Sequence, residues 1–193
     1  VGSIARSKLG DKLNNEIGTE SYAAVCGYEP EFIKIENMAV GSSLTLENPP
    51  NKKYKGESDR ALINGMGGTI NYQDKSWQGF EAEDLIAIID LGSAKTINAV
   101  EVRFLQSQVF WIFLPYHIQI EHSYDGKNFE LIYEDFPNND FSFEQKIISY
   151  KTNLDPLESR FIRVKGYNID QCPDYHPGAG GPSWIFSDEI IIN

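Results

Sequence analysis

The sequence predicts an all-β protein with short antiparallel strands arranged as a β-sandwich of jelly-roll type. Three observations favour this class. Apolar and polar residues alternate along several short segments, as they do in strands with one buried face. The dipeptide Asp125-Gly126, which accepts the positive φ angles of a tight hairpin turn, separates two such segments. No segment after residue 37 has the apolar spacing of a helix, and the chain contains no internal repeat.

The composition changes near residue 37. Residues 1–36 combine a polar stretch, RSKLGDKLNNEIGTES, with one short strand candidate, EFIKIE, and have no core-forming pattern of their own. We interpret them as an N-terminal extension or the edge of a preceding domain. Residues 37–193 are predicted to form the sandwich domain, since 193 residues suffice for one well-buried domain and a short extension.

Strand signals follow one another from about residue 85. The segments AVEVRF (99–104) and HIQIEH (117–122) alternate apolar and polar residues, so each is expected to bury one face. The segment HSYDGKNFELIY (122–133) then predicts a hairpin. Two further strands are predicted in RFIRVKGYN (160–168) and in the closing FSDEIIIN (186–193).

Composition and charge exclude several classes of protein. A hydrophobic content of 41% with 23% charged residues is typical of a soluble globular protein, and no apolar run is long enough to span a membrane. The net charge of −11 is spread along the chain, which argues against nucleic acid or anionic lipid as a partner. We therefore expect a neutral or cationic ligand. The chain begins at Val1 without a leader, so we interpret it as a piece of a longer protein.

The two cysteines, Cys26 and Cys172, lie far apart in segments of different character. Neither a CxxC redox pair nor a zinc cluster can be built from them. They are either both free thiols or one bridge, and two cysteines do not decide the compartment.

A series of short motifs spans about residues 37–193: NMAVG, ALINGMGGT, SWQGF, AIIDLG, INAVEVRFLQ, HSYDGKNFE, RFIRVKGYN and DEIII. In this order they resemble the discoidin, or coagulation factor 5/8 type C, domain. The combination of FLQ, WIFLP and CPDYHPGAGGPSWIFSDEI is similar to the version attached to bacterial β-hexosaminidases, also called chitobiases. The resemblance implies an eight-stranded antiparallel jelly-roll β-sandwich and, in bacteria, a carbohydrate-binding module of the kind classed as family 32.

The resemblance also implies a structural calcium ion at the turn ALINGMGGT. Asn64 stands where the family usually has aspartate, so one of two carboxylates is missing and the attraction for calcium is weaker. The alternative is a metal-free glycine turn, with Asn64 chosen because it tolerates left-handed backbone. All the implied ligands are oxygen donors, as calcium requires; they are the carbonyls of Ala61, Met66 and Asp188 and the side chains of Asn64, Thr69 and Glu189.

Three glycine-rich or aromatic connections are expected to form the recognition surface at one end of the sandwich: residues 64–84, 106–116 and 166–184. A sugar needs a flat apolar surface for its C–H face and a few polar groups for its hydroxyls. The predicted platforms are Trp77, Tyr175, Phe80 and Trp111. Phe113, Tyr116 and Trp184 lie in the same loops, although large aromatic side chains are more often core residues.

The predicted polar sugar contacts are Gln106, His176, Asp74 and Arg103. Each has a second interpretation as an ordinary surface residue. His176 lies in CPDYHPG, where its alternative role is to hydrogen-bond the backbone of its own loop.

We predict a non-catalytic carbohydrate-binding module that brings a linked glycoside hydrolase to a glycan. The resemblance implies a catalytic partner of β-hexosaminidase or chitobiase type, terminal galactose- or hexosamine-type sugars as ligands, and an extracytoplasmic location. We expect a monomer, without nucleic acid or membrane insertion.

Two other function classes are alternatives to this prediction. A glycosidase needs two carboxylates facing each other, and one loop supplies Asp74, Glu81, Glu83 and Asp84. No nucleophile motif, histidine metal motif or phosphate loop accompanies them, so no catalytic residue is predicted. A protein-interaction or adhesion module would have the same fold, which alone does not exclude it.

Overall fold

The structure, a computed structural model, describes residues 33–193. The predictions for residues 1–32, including that for Cys26, lie outside this part. Within it, the regular structure consists of strands and short 3₁₀ turns at Lys52–Tyr54, Ala61–Ile63 and Gln108–Phe110. The strands are β1 (Ile33–Lys34), β2 (Ser43–Leu46), β3 (Met66–Gly67), β4 (Gln78–Glu81), β5 (Leu85–Gln106), β6 (His117–Ser123), β7 (Glu130–Asp135), β8 (Lys146–Tyr167) and β9 (Trp184–Ile192).

Two long strands, β5 and β8, organise the sandwich because each contributes to both layers. Residues 85–90 of β5 pair with residues 161–166 of β8, and residues 87–90 also pair with β2 on the other side. Strands β6 and β7 complete this layer. Residues 99–106 of β5 pair with β9 and with residues 146–153 of β8, and β4 completes the second layer. Every named pairing is antiparallel, as the sequence predicted.

The core lies between the two layers. In β5, Leu85, Ala87 and Ile89 are buried while the residues between them are partly exposed, which is the period expected for a strand with one buried face. Side chains from both layers meet in a single buried cluster, whose members include Ile89, Val102, Ile120, Val164 and Ile190.

Phe80, one of the predicted sugar platforms, and Phe113, an aromatic residue of the same loops, are fully buried. Phe80 lies on β4 and packs in this cluster. The assignment of Phe80 was therefore wrong, and Phe113 is a core residue: neither ring has a face available to a ligand.

The start of the described region is attached to the last strand. Ile33 and Lys34 of β1 pair with β3 as an edge. Asn37 Nδ2 donates to the carbonyl of Ile190 at 2.8 Å, and Asn37 Oδ1 accepts from the backbone N–H of Ile192 at 3.0 Å. The domain boundary at residue 37 stays a prediction.

Two further expectations from the sequence concern the cysteines and the absence of a membrane-spanning segment. Cys172 is a buried free thiol, and burial raises its pKa. Among residues 33–193, no helix has the length and apolar character needed to cross a bilayer.

Candidate functional site

A groove lined by aromatic rings lies where β5 ends and β9 begins. Its volume is about 340 Å³. Ile112 and the buried Phe186 contribute to its apolar lining, and Lys53 and Glu81 supply charged groups. We call this cavity the aromatic groove; its rings are Tyr54, Tyr72, Phe110, Trp111, Trp184 and Phe186.

Tyr54 holds the rings of the groove together. Its centroid lies 5.4 Å from that of Trp184 and 4.9 Å from that of Phe186, in both cases with edge-on geometry. The Tyr72 ring lies 4.6 Å from Phe110, and Phe110 is 46% exposed. Edge-on packing is the favoured arrangement of aromatic pairs, so the rings hold one another in place and leave apolar surface in the groove.

Trp111 has a left-handed backbone conformation, with φ 65° and ψ 17°, at the end of the 3₁₀ turn Gln108–Phe110. A residue other than glycine adopts this conformation at an energetic cost, and such residues concentrate at functional sites. The Trp111 side chain is 37% exposed. Its carbonyl accepts from the N–H of Trp184 at 2.9 Å, so the backbone joins two rings of the groove.

The segment PGAGGP provides the surface against which the Trp111 ring lies. A Cβ atom at Gly178 would stand 2.5 Å from the indole, and one at Gly181 would stand 2.6 Å from it. Both distances are shorter than real Cβ contacts, so glycine is required at both positions for the ring to lie this close.

His176 fixes the loops around Trp111. This side chain is 5% exposed; its Nε2 bonds the carbonyl of Gln108 at 2.8 Å, and its Nδ1 lies 3.0 Å from the N–H of Gly178. Both ring nitrogens are therefore engaged with backbone groups. The prediction of a polar sugar contact was wrong for His176, and its alternative role as a loop anchor is confirmed.

Gln108 joins three loops at this end of the sandwich. Its Nε2 donates to the carbonyl of Asp140 at 3.0 Å, and its Oε1 accepts from the N–H of Ser142 at 3.0 Å. The side chain is buried. Sequence reasoning chose Gln106 instead, which is also buried, at the end of β5, and is not part of the groove lining.

Trp77 lies in the core. It is 1% exposed, its indole N–H donates to the carbonyl of Thr69 at 2.9 Å, and it packs in a second buried cluster with Leu105 and Phe186. A ring covered in this way offers no face to a pyranose. The prediction of Trp77 as one of the sugar platforms was therefore wrong.

Tyr175 is 45% exposed but does not line the aromatic groove. Its hydroxyl donates to the carbonyl of Asn139, and its ring packs edge-on against Phe141. The structure places Tyr175 beside the groove and joins it to the loop before β8. Tyr116 is also exposed and lies elsewhere, next to Tyr167.

The two remaining polar candidates bond to the protein itself. Arg103 is 9% exposed and pairs with Asp188 Oδ2 at 3.0 Å. Asp74 Oδ2 accepts from both the backbone N–H and the hydroxyl of Thr69, at 2.8 and 2.6 Å. Neither belongs to the lining of the groove, whose charged groups are Lys53 and Glu81.

Two buried carboxylates of β9, Asp188 and Glu189, contact the turn implied as a calcium site. Glu189 Oε1 accepts from the N–H of Gly65 at 2.8 Å and from Asn37 Nδ2 at 2.6 Å, whereas its Oε2 is buried without a partner in residues 33–193. Asp188 Oδ1 is also unpartnered there. Burial raises the pKa of Asp188 to about 6 and that of Glu189 to about 7.

The other implied side-chain ligands already have protein partners. Asn64 Oδ1 accepts from the N–H of Met66 at 2.8 Å, and the Thr69 hydroxyl donates to Asp74. In the described residues, no three His, Cys, Asp or Glu side chains are grouped as a metal site. A cation at this turn would therefore depend on Glu189 Oε2 and on backbone carbonyls, and the unpartnered oxygen fits such a cation.

Sequence reasoning missed Tyr54, Tyr72 and Phe110. Tyr54 lies in KKYKG, a lysine-rich segment before the first clear strand, and carries no periodic signal. Tyr72 and Phe110 come from loops that the sequence analysis did select. A lone aromatic residue within a polar segment, as in NYQDK, is the signal that could have identified Tyr72.

The structure resembles solved carbohydrate-binding modules. A fucose-binding module of Streptococcus pneumoniae matches with a TM-score of 0.51 and 14% identity, over 86% of this chain and 97% of that one. A chitosan-binding module of a chitosanase/glucanase from Paenibacillus sp. IK-5 matches with a TM-score of 0.50 and 14% identity, over 82% and 98%.

A larger protein contains the same fold as one of its parts. A mutant GH29 fucosidase of Ruminococcus gnavus, in complex with fucose, matches with a TM-score of 0.54 and 13% identity, over 81% of this chain and 26% of that one. No family model and no curated protein match the sequence. At these identities the likeness concerns the fold, and the chain has the antiparallel β-sandwich fold of the carbohydrate-binding modules that its motifs resemble.

Proposed function

We propose that this domain is a non-catalytic carbohydrate-binding module and that it holds its sugar in the aromatic groove. The observation that carries the proposal is Trp111: a partly exposed indole, held in a left-handed conformation and supported by a glycine surface. A strained backbone and close packing fix this exposed ring in place, as is typical of functional sites. A ligand that stacks on the ring would explain both features.

The chemistry of the groove suits a pyranose. The C–H face of the sugar would stack on Trp111 or Trp184, and Lys53 and Glu81 would hydrogen-bond its hydroxyls. Glu81 Oε2 is held by the side-chain amide of Asn51 at 3.0 Å. One exposed sugar offers little area, so we expect a dissociation constant of about 0.1–1 mM.

The acidic residues of the loop support a binding role over catalysis. Asp74 accepts two bonds from Thr69, Glu81 accepts one from Asn51, and Asp84 Oδ1 accepts from the N–H of Asn168 at 2.8 Å. Each of these three carboxylates accepts a hydrogen bond from the protein, and of the three only Glu81 lines the aromatic groove. A glycosidase pair would need two carboxylates open to the same sugar.

The finer proposals rest on the family resemblance. The ligand is a terminal galactose- or hexosamine-type sugar, and the module belongs to an extracytoplasmic glycoside hydrolase of β-hexosaminidase or chitobiase type and acts as a monomer. The solved modules of the same fold are described as binding fucose in one case and chitosan in another, so the fold is compatible with several sugars.

We also propose a structural calcium ion at the turn of residues 61–69. Glu189 Oε2 and the carbonyls of Ala61, Met66 and Asp188 would hold it. A bound cation would stabilise the ionised form of Glu189, whose burial otherwise favours the neutral form. The ion would join the turn to β9 and would not contact the sugar.

Titration calorimetry with galactose and N-acetylglucosamine, guided by a glycan array, tests the proposed function. Wild type should bind at millimolar concentration, and Trp111→Ala should lose most of the affinity. Tyr116→Ala is the matched control, because this exposed ring lies outside the groove. If no glycan binds while a protein partner does, the domain is a protein-interaction module and the proposed function is wrong.

A further inference from the structure

A second cavity, of about 670 Å³, adjoins the aromatic groove and shares Lys53 and Tyr54 with it. Its lining contains four lysines and only two carboxylates, whereas the whole chain has a net charge of −11. We call it the lysine cavity; its charged residues are Lys52, Lys53, Lys55, Lys75, Glu57 and Asp74.

The two carboxylates of the lysine cavity accept hydrogen bonds from residues other than these lysines. Asp74 Oδ2 is held by Thr69, and Glu57 Oε1 accepts from the side-chain amide of Asn64 at 2.9 Å. Lys52, Lys53 and Lys55 are exposed, and within residues 33–193 no carboxylate forms an ion pair with them. Three ammonium groups are therefore available to a ligand.

The backbone fixes the segment that carries these lysines. The Asn51 side chain accepts from the N–H of Lys53 at 3.0 Å and so caps the 3₁₀ turn Lys52–Tyr54. The carbonyl of Lys55 accepts from Gln78 Nε2 at 2.9 Å, which attaches the segment to β4. Lys53 Nζ lies 4.9 Å from the centroid of Tyr54, so the cation stands beside a ring of the groove.

We propose that the ligand of the aromatic groove is an acidic saccharide whose carboxylate or sulfate group lies in the lysine cavity, against Lys52, Lys53 and Lys55. This inference rests on the proposed function and specifies its ligand class. The overall charge favoured a neutral or cationic ligand, but local groups set the potential at a site, since charges more than about 10 Å away are largely screened at 0.1 M salt.

A pair of probes with the same sugar backbone, one charged and one neutral, tests the proposal: trigalacturonic acid and its methyl ester. At low salt, wild type should bind the acid roughly three- to tenfold more tightly than the ester, the scale of two exposed ion pairs. The difference should shrink as salt is added. Galactose 6-sulfate against galactose decides whether sulfate serves as well as carboxylate, and a gain for either anion supports the proposal.

The double variant Lys52→Gln/Lys55→Gln should remove this preference and leave binding of the ester unchanged. The matched control is Lys95→Gln/Lys127→Gln, since neither lysine lines the aromatic groove or the lysine cavity. Equal affinity in wild type for acid and ester and also for galactose 6-sulfate and galactose, or an equal loss in both double variants, would overturn the proposal and leave the sugar-binding function standing. Unchanged binding of both probes by Trp111→Ala would overturn the proposed groove site and this inference together.

Discussion

Trp111 and Gly178 lie so close that a Cβ atom at position 178 would stand 2.5 Å from Cζ2 of the indole. The ring on which the proposed function depends is therefore supported by backbone, and not by another side chain. The position of this ring depends on two loops at once, because Trp111 follows β5 and Gly178 precedes β9.

Gly178→Ala should displace the Trp111 ring and weaken sugar binding about tenfold, because a methyl group cannot occupy that space without moving the indole. The melting temperature should change little, since the ring is partly exposed. Calorimetry and thermal unfolding check both parts. Ala179→Ser, in the same exposed loop, is the control and should leave binding unchanged; full affinity in Gly178→Ala would contradict the support described for Trp111.

Trp77→Ala should mainly lower stability, whereas Trp111→Ala should mainly remove sugar binding. Trp77 is 1% exposed, so its truncation should cost about 3–5 kcal/mol of stability. Trp111→Ala should cost less than about 1.5 kcal/mol, because surface substitutions rarely cost more, and should instead remove sugar binding. Chemical denaturation measures both values. A stable Trp77→Ala variant that no longer binds sugar would restore Trp77 as the platform.

His176→Ala should weaken sugar binding and lower stability by about 1–3 kcal/mol, because it leaves the carbonyl of Gln108 and the N–H of Gly178 unpaired in a buried site. The variant His176→Gln, which keeps a donor, should lose less. Thermal unfolding and titration with the same sugar provide the measurements. Unchanged stability together with lost binding would show that His176 contacts the ligand directly.

Chelation should lower the melting temperature of wild type if calcium binds at the turn. An ion that binds only the folded state stabilises it by about 2.7 kcal/mol at one hundred times its dissociation constant, which is about 5–10 °C for a domain of this size. Glu189→Gln keeps an amide oxygen to accept from Gly65 and should remove the response to calcium. Because the neutral side chain avoids the cost of a buried charge, this variant should be at least as stable as wild type in chelator.

An unchanged melting temperature of wild type in chelator would identify the turn as a metal-free glycine loop. A calcium response that survives in Glu189→Gln would place the ion elsewhere. Magnesium at the same concentration is the control for general ionic effects, since this small ion retains its water and demands stricter geometry.

The fold could be predicted because its signals are local. Alternation in AVEVRF and the Asp125-Gly126 turn each follow from the two-residue period of a strand and from the φ preference of glycine. The layers could not be predicted in this way, since the bend that places residues 85–90 and 99–106 of β5 in different layers depends on pairing with β2 and β9.

The site was predicted only in part because stacking platforms and core rings have the same composition. Trp77 and Trp111 both lie in aromatic loops, and only tertiary packing decides that one is covered by Leu105 and Phe186 while the other rests on glycine. Trp184, an aromatic residue of a predicted recognition loop, does line the groove. Tyr54 joins it from a segment distant in sequence, which no local pattern connects to the other rings.

The three tryptophans of the chain give the most direct test of the claim that the aromatic groove binds a sugar. Each indole N–H produces one signal in a ¹H–¹⁵N correlation spectrum, and single Trp→Phe variants assign them. On titration with a neutral sugar, which leaves the lysine cavity empty, the signals of Trp111 and Trp184 should shift together. That of Trp77, which is buried, bonded to the carbonyl of Thr69 and outside the groove lining, should stay in place. A shift confined to Trp77, or saturable sugar binding that moves none of the three signals, would contradict the account.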